Sequence, residues 1–511
     1  MTVTAAAMIL TLLTVANYRI GHRRVLYPPF VYSLIWCLDT YLYGLSWMDI
    51  DRIQPITWWA VVLGALCFSI GSWAAALVPE RLVRLRLAEL EHPTRSSLGM
   101  KLLILICILA LPFMLHEILS LAASGSGGLL ANTRQATTDM ANSGETLRAY
   151  PASTYLPEFS VWIAILLFVE RAGKHFKAAA AIALTCCLLS TGRTFFLMLF
   201  SGLTYVQIFR QKGVSIRAAA RIAVIPVFLF VCIFLGVIFI DKNPSNSTVG
   251  LVSLLSFFTL GYTLGPLAAL NYVLTHPTMY LSEPNRTFEF FLKVLSFVSG
   301  IPVASPPLLD KFVFVPFPAN VYTLYKPLFT DFGFFGMLCA VGVFGSVQTL
   351  IYRKALGGGK IALFLSALLM FSTFMSIFDD AYTNFQQLFL MSLLLLLYYG
   401  FLNRLGVGLK VKSHIRFEVG LPRFRLRWPE GALCAAYPGD TCQKSGSISE
   451  SRLKLGVGGG GDRGTLSRPP LEQRSGPLEE AQRREADASC QRGGQQDRSD
   501  PNTSCRDLRQ I

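Results

Sequence analysis

The chemistry available to this chain rests on a few cations and carboxylates set among apolar runs. Ser190-Thr191-Gly192-Arg193-Thr194 places one arginine at a tight junction between the runs 178–189 and 194–209. Both runs lie at or below the short end of a membrane-spanning helix, which needs about 17–25 residues. Short spans draw flanking cations to headgroup depth. An arginine fixed there suits a lipid phosphate, because its planar fork offers two parallel charge-assisted hydrogen bonds. It suits an interfacial anchor equally well, and the pattern leaves both readings open. A second stretch, Pro318-Ala319-Asn320-Val321-Tyr322-Thr323, offers amide and hydroxyl groups on Asn320, Tyr322 and Thr323. These can bond sugar hydroxyls or phosphate oxygens. Lys326 follows, then Asp331, which opens another apolar run. There it can cap a helix N-terminus or accept a proton from a hydroxyl. Arg134 and Arg286 stand in polar loops as further cations. The adjacent pair His116-Glu117 lies in an apolar run, as a buried polar pair or a general base. Helix neighbours point in different directions, so the two need not act together. Asp49 and Asp51 could ligate a divalent ion, but two carboxylates in a short loop read more simply as solvated.

These residues must be positioned by membrane helices. The chain has 511 residues, 52% hydrophobic and only 15% charged, and its mean hydropathy is +0.47. That composition excludes an ordinary soluble domain. The net charge of +15 would admit nucleic acid as a partner. The basic residues fall instead in short loops between apolar runs and in the C-terminal tail, the positive-inside pattern, so nucleic acid is rejected. Of the eleven cysteines, Cys37, Cys67, Cys107, Cys186, Cys187, Cys232 and Cys339 lie in apolar runs as small fillers, and no zinc spacing appears. Neither GxxxxGK[ST], HExxH nor GxSxG occurs, which leaves no case for an ATP-driven pump, a zincin or a serine hydrolase. No cofactor or metal is expected.

The fold class expected is an all-α polytopic membrane protein of about eleven spans, N-terminus out and C-terminus in. The basic clusters Arg19–Arg24, Arg81–Lys101, Arg171–Lys177, Arg210–Arg221, Arg353–Lys360 and Arg404–Lys412 then all face one side. That parity requires the run 249–274, interrupted by Gly261 and Gly265-Pro266, not to cross. Residues 1–410 form the membrane domain, with large external loops at 124–155 and 241–328. The outward side then collects Arg134, Arg148, Arg193, Arg286, Lys293, Lys311, Lys326, Asp331, Asp379 and Asp380. Residues 411–511 lose core-forming composition and are expected to be a disordered tail on the inner side. The N-terminus has no charged n-region and reads as a first span.

Ser190-Thr191-Gly192-Arg193-Thr194, together with Pro318-Ala319-Asn320-Val321-Tyr322-Thr323, Asp331-Phe332-Gly333 and Gly336, resembles the bacterial oligosaccharide repeat unit polymerases, the Wzy-type O-antigen polymerases. Residues 262–270 and Arg286-Thr287-Phe288 also sit where such proteins have an aromatic-glycine segment and a Thr-Phe pair. The likeness covers roughly residues 1–405 in architecture, and the tail has no counterpart. An arginine followed at fixed spacing by glycine, which some polymerases carry in two external loops, is missing after Arg134, Arg193 and Arg286.

The resemblance implies transfer of a growing glycan from undecaprenyl pyrophosphate to the sugar of another lipid-linked repeat unit, at the periplasmic face of the bacterial inner membrane. The pyrophosphate leaving group supplies the energy. Such a site needs cations on the pyrophosphate and a base near the acceptor hydroxyl. Arg193 fits the first role, with Arg134, Arg286, Asn320, Tyr322, Thr323 and Lys326 binding substrate. Asp331 or Glu117 would be the base. Membrane lipid, a flippase and a chain-length regulator are the implied partners. Two rivals are a lipid-linked oligosaccharide flippase and an O-antigen ligase. Charged residues within spans are few (Asp39, Glu117), which speaks against the flippase.

Overall fold

The structure is a computed structural model. It describes residues 1–45, 52–79, 97–123, 128–129, 132–133, 135–136, 150–190, 192–211, 214–241, 264–280, 285–301, 310, 312–315 and 318–398. The chain divides into two units, Met1–Gly420 and Leu421–Ile511. All described residues belong to the first, and the expected tail 411–511 lies outside them. Arg134, Arg148, Lys311, Asp49 and Asp51 also lie outside.

The described chain is almost entirely helical. Its helices are α1 (Val3–Ile20), α2 (Pro28–Leu45), α3 (Pro55–Leu77), α4 (Ser97–Ala122), α5 (Pro151–Val169), α6 (Lys174–Leu189), α7 (Arg193–Arg210) and α8 (Ile216–Asp241). After these come α9 (Leu264–Thr275), α10 (Glu289–Ser299), α11 (Tyr325–Leu356), α12 (Lys360–Met375) and α13 (Phe385–Leu395). A two-residue antiparallel ladder pairs β1 (Val313–Phe314) with β2 (Pro318–Ala319). Among the described residues, five helices are long and apolar enough to cross a membrane: α1, α3, α4 from Leu98, α5 and α11.

The sequence placed most helices but shortened several. The loop expected to run to residue 155 ends at Tyr150, because Pro151 is a favourable first helical residue. α8 starts at Ile216, inside the basic cluster Arg210–Arg221, and takes Arg217 and Arg221 into its first turns. The run expected from residue 332 is preceded by another helical stretch. α11 begins at Tyr325 and is broken at Gly333, whose φ of 68° and ψ of −175° are open in practice only to glycine.

Two apolar cores hold the bundle. One joins α1–α3, α9 and α11, and the other joins α4–α7, α12 and α13. α3 and α11 run parallel and close. Gly71 faces Gly342, the Ser72 hydroxyl donates to Gly345 O at 3.0 Å, and Arg353 Nη1 donates to Ala75 O (2.7 Å) and Val78 O (2.8 Å). Small residues allow backbones to approach this closely. Asn17 ties α1, α2 and α3 together. Its Nδ2 donates to Pro29 O and to the Ser33 and Ser69 hydroxyls, while Trp73 Nε1 donates to its Oδ1. A buried amide is tolerated because it is satisfied in this way.

These contacts give the bundle two chemically distinct ends. At one, Lys360 pairs with Glu170 at 3.0 Å, Arg210 donates to Phe168 O and Val169 O, and the Tyr27 ring lies 6.3 Å from that of Tyr352. Arg19, Arg23, Arg24, Arg171, Lys174, Arg353 and Lys354 cluster at this basic end, by their places at helix termini. At the other, Leu324 N donates to Ser376 O at 2.9 Å and Gln386 Nε2 donates to Thr154 O at 3.0 Å. The starts of α3, α5, α7, α11 and α13 gather there.

Candidate functional site

Lys326 is where the second end becomes unusual. It lies in the first turn of α11 with a side chain only 2% exposed. A helix N-terminus disfavours a cation, and burial disfavours it further. The compensation is specific. Asp310 accepts from Lys326 Nζ at 2.7 Å, and the Tyr322 and Tyr280 rings face that nitrogen at 4.7 and 5.7 Å. Asp310 also takes Arg286 Nη1 on both oxygens, each at 3.0 Å. Asp310 therefore bridges two cations.

Arg286 is held by its backbone as well. Its N–H donates to both oxygens of Asp331 (3.3 and 3.2 Å), and Thr287 N donates to Asp331 Oδ2 at 2.7 Å. Asp331 thus pins the turn that precedes α10, and Gly333 just beyond it lets the helix break there. The Asp379-Asp380 turn after α12 completes the cluster. Burial works against the charge on Arg286, but Asp310, Asp379 and Asp380 outweigh it and raise its affinity for its proton.

The two turn aspartates differ. Asp380 is spent on structure: Oδ1 accepts from Tyr382 N (2.9 Å) and Thr383 N (3.2 Å), and Oδ2 accepts from the Thr383 hydroxyl. Burial lifts its pKa to about 6. Asp379 accepts from Asp380 N at 2.8 Å through Oδ1. Its side chain reaches solvent. Desolvation by the surrounding protein raises its pKa, and the charge of Arg286 partly opposes the rise. A carboxylate whose proton affinity is raised in this way is suited to taking a proton from a hydroxyl.

The remaining residues singled out from sequence fall into place around this cluster. Tyr322 and Thr323 are buried. The Thr323 hydroxyl accepts from Tyr325 N at 3.3 Å, so it helps start α11. Asn320 is partly exposed beside β2. Glu117 accepts from Ala152 N (3.1 Å) and Ser153 N (2.6 Å), and so caps α5 from a neighbouring helix. His116 beside it is exposed. Arg193 is the first residue of α7, at the same end of the bundle as the cluster.

No family model matches the chain, and no curated protein or solved structure does. The likeness to the polymerases therefore rests on the residues quoted for it.

The structure brings Arg286, Lys326, Tyr322 and Asp331 together, and Glu117 binds elsewhere, on α5. Sequence reasoning missed Asp310 altogether and left Asp379 without a role. Lys326 itself was the signal for Asp310, since a lysine among Tyr325, Pro327, Leu328 and Phe329 has to find a carboxylate. Two cations here face four carboxylates. The cluster is an acidic, hydrogen-bonded platform rather than a bare anion clamp.

Proposed function

We propose that the chain is a membrane glycosyltransferase that joins lipid-pyrophosphate-linked oligosaccharide repeat units. In this reading it lies in the bacterial inner membrane with about eleven spans, N-terminus out and C-terminus in. The end carrying Asp379 is periplasmic and the basic end cytoplasmic. The observation that carries the reading is Asp379, a solvent-accessible carboxylate under the charge of Arg286, whose guanidinium is held by Asp310 and whose backbone N–H is held by Asp331.

The acceptor sugar hydroxyl gives its proton to Asp379 as its oxygen attacks the donor anomeric carbon. The bond from that carbon to the pyrophosphate oxygen breaks, and undecaprenyl pyrophosphate leaves. Arg193, at the same end, meets the charge that develops on the leaving group. Asp331 and Glu117 are occupied by backbone N–H groups, which moves the base from them to Asp379. Arg286 and Lys326 set the electrostatics of that base, and Asn320 is placed to meet sugar. Membrane lipid, a flippase and a chain-length regulator are the partners that this role implies.

A flippase is the second reading. It draws on Asp39, whose buried carboxyl has no hydrogen-bond partner among the described residues, and on buried Glu158 in α5. One experiment separates the two: glycan ladder length in a strain lacking its own polymerase, with protein level measured in the membrane fraction. Asp379→Asn is expected to lose roughly 100- to 10,000-fold in polymer formation. Arg193→Ala is expected to lose roughly 100- to 1,000-fold, and Arg193→Lys less, because it keeps the charge without the fork. A full ladder from Asp379→Asn at normal protein level removes the base and with it the proposed mechanism. Normal ladders from both residues' variants, with loss on Asp39→Asn, would favour transport.

A further inference from the structure

Helix α10 is built inside out. Its polar residues Glu289, Lys293 and Ser296 recur at i, i+4 and i+7, which sets them on one face. Glu289 and Lys293 are paired and only part-exposed, and Ser296 is likewise part-buried. The opposite face carries Phe291, Val294 and Val298, and Phe297 stands at its flank, one turn on from Lys293. All four are exposed, Phe297 at 91% and Val298 at 76%, and no residue of the helix is buried. Leu295, Phe288 before the helix and Ile301 after it extend the same exposed apolar surface. In water this order would place every large side chain in the costlier medium, at about 25 cal/mol per Å² of apolar surface. The order is the correct one where the surrounding medium is acyl chain.

We infer that α10 lies in the membrane interface at the site end of the bundle, with its apolar face in the outer part of the lipid chains. Three observations choose lipid as the occupant. The bundle already turns bare apolar side chains outward elsewhere, as on α4 with Leu105, Leu109 and Phe113, and α10 continues that class of surface. α10 has 11 residues, about 16 Å of helix, against roughly 30 Å of hydrocarbon. It cannot span, so it must lie along the boundary, where a short amphipathic helix enters about 5–10 Å. Its two ends are also fixed near polar structure. Asp331 holds the N-terminal turn, and Gly300 in the left-handed conformation (φ 71°) stops the helix. α10 thereby sets Arg286, three residues ahead of Glu289, at headgroup depth. This inference is independent of the reaction proposed above.

The test uses the full-length chain in a cysteine-depleted background, reconstituted in phosphatidylcholine vesicles. An environment-sensitive fluorophore is attached through Phe297→Cys, through Val298→Cys as an independent second position, and through Lys174→Cys as a water-exposed control. The expected result is several-fold stronger quenching at 297 and 298 by a nitroxide near the top of the acyl chain than by aqueous iodide, with the reverse at 174. Iodide quenching at 297 and 298 equal to that at 174 overturns the inference. A deep-chain nitroxide that quenches better than the shallow one overturns the interfacial placement. Disulfide formation between copies at 297, without lipid quenching, shows that a second chain covers this face and also overturns it. None of these readouts involves glycan, so the placement of α10 and the proposed reaction fail separately.

Discussion

Burial raises the proton affinity of Asp379, and the guanidinium of Arg286 lowers it. The balance fixes the pH at which this carboxylate can act as a base. In the proposed reaction Asp379 works only when deprotonated, so activity should rise with pH through its pKa. Because that pKa is raised, the acid limb should lie above the ordinary aspartate range near about 3.9. Arg286→Gln removes the opposing cation and strengthens the proton's hold. The acid limb should then move to higher pH by about one unit, with a lower plateau. Lys293→Gln, which breaks the pair with Glu289 on α10 and leaves Arg286 in place, should leave the limb in place. Polymer formation against pH in membrane vesicles reads both variants. An unmoved limb in Arg286→Gln would mean that Asp379 does not set it. Asp310 keeps its bond to Lys326 in this variant, so the cluster should survive the change.

The helices themselves were legible where apolar runs end in basic residues, because both the bilayer and the helix period act locally on sequence. What escaped was the start of α11. Lys326 interrupts the apolar pattern, and its partner Asp310 stands 16 residues away in a loop, so the local signal reads as polar connection. Asp331 likewise was expected at the outer tip of a helix. It lies inside α11, ahead of the break at Gly333, and caps a turn that belongs to another segment. The path from Arg286 to Asp331 depends on tertiary packing, and no spacing rule reaches it. The packing of α3 on α11 gives the test at this scale. A Cβ at Gly345 would run into the Phe68 carbonyl, and backbone cannot swing aside as a side-chain tip can. Gly345→Ala should therefore cost about 1–3 kcal/mol, despite the helix preference for alanine. Gly44→Ala on α2 meets only the two Val3 methyls, at 3.4 and 3.9 Å, and should be neutral or slightly stabilising. Thermal midpoints in detergent compare the two. Equal midpoints would mean that α3 and α11 are not in close backbone contact.

At the scale of the molecule, the telling feature is the separation of charge between the two ends. Among the described residues, Arg19, Arg23, Arg24, Arg171, Lys174, Arg210, Arg353, Lys354 and Lys360 gather at one end, where Glu170 answers Lys360. At the other, Arg286 and Lys326 are answered by Asp310, Asp331, Asp379 and Asp380. Lysines and arginines in short loops resist translocation, so the proposed orientation puts the basic end in the cytoplasm. Arg52 precedes α3 at the site end, where Gln54 N and the Thr57 hydroxyl donate to Asn271, and it is exposed. Lys174 opens α6 at the basic end and is exposed too. In a cysteine-depleted background, an impermeant maleimide should label Arg52→Cys in spheroplasts, and Lys174→Cys only after the membrane is opened. The possible failures have different meanings. Labelling of both positions from one side contradicts the bundle, because α3 and α6 could not then have their starts at opposite ends. Exchange of the two patterns leaves the bundle intact and reverses its orientation. Asp379 would then face the cytoplasm, away from a periplasmic lipid-linked donor, and the polymerase reading would fall while the fold stood.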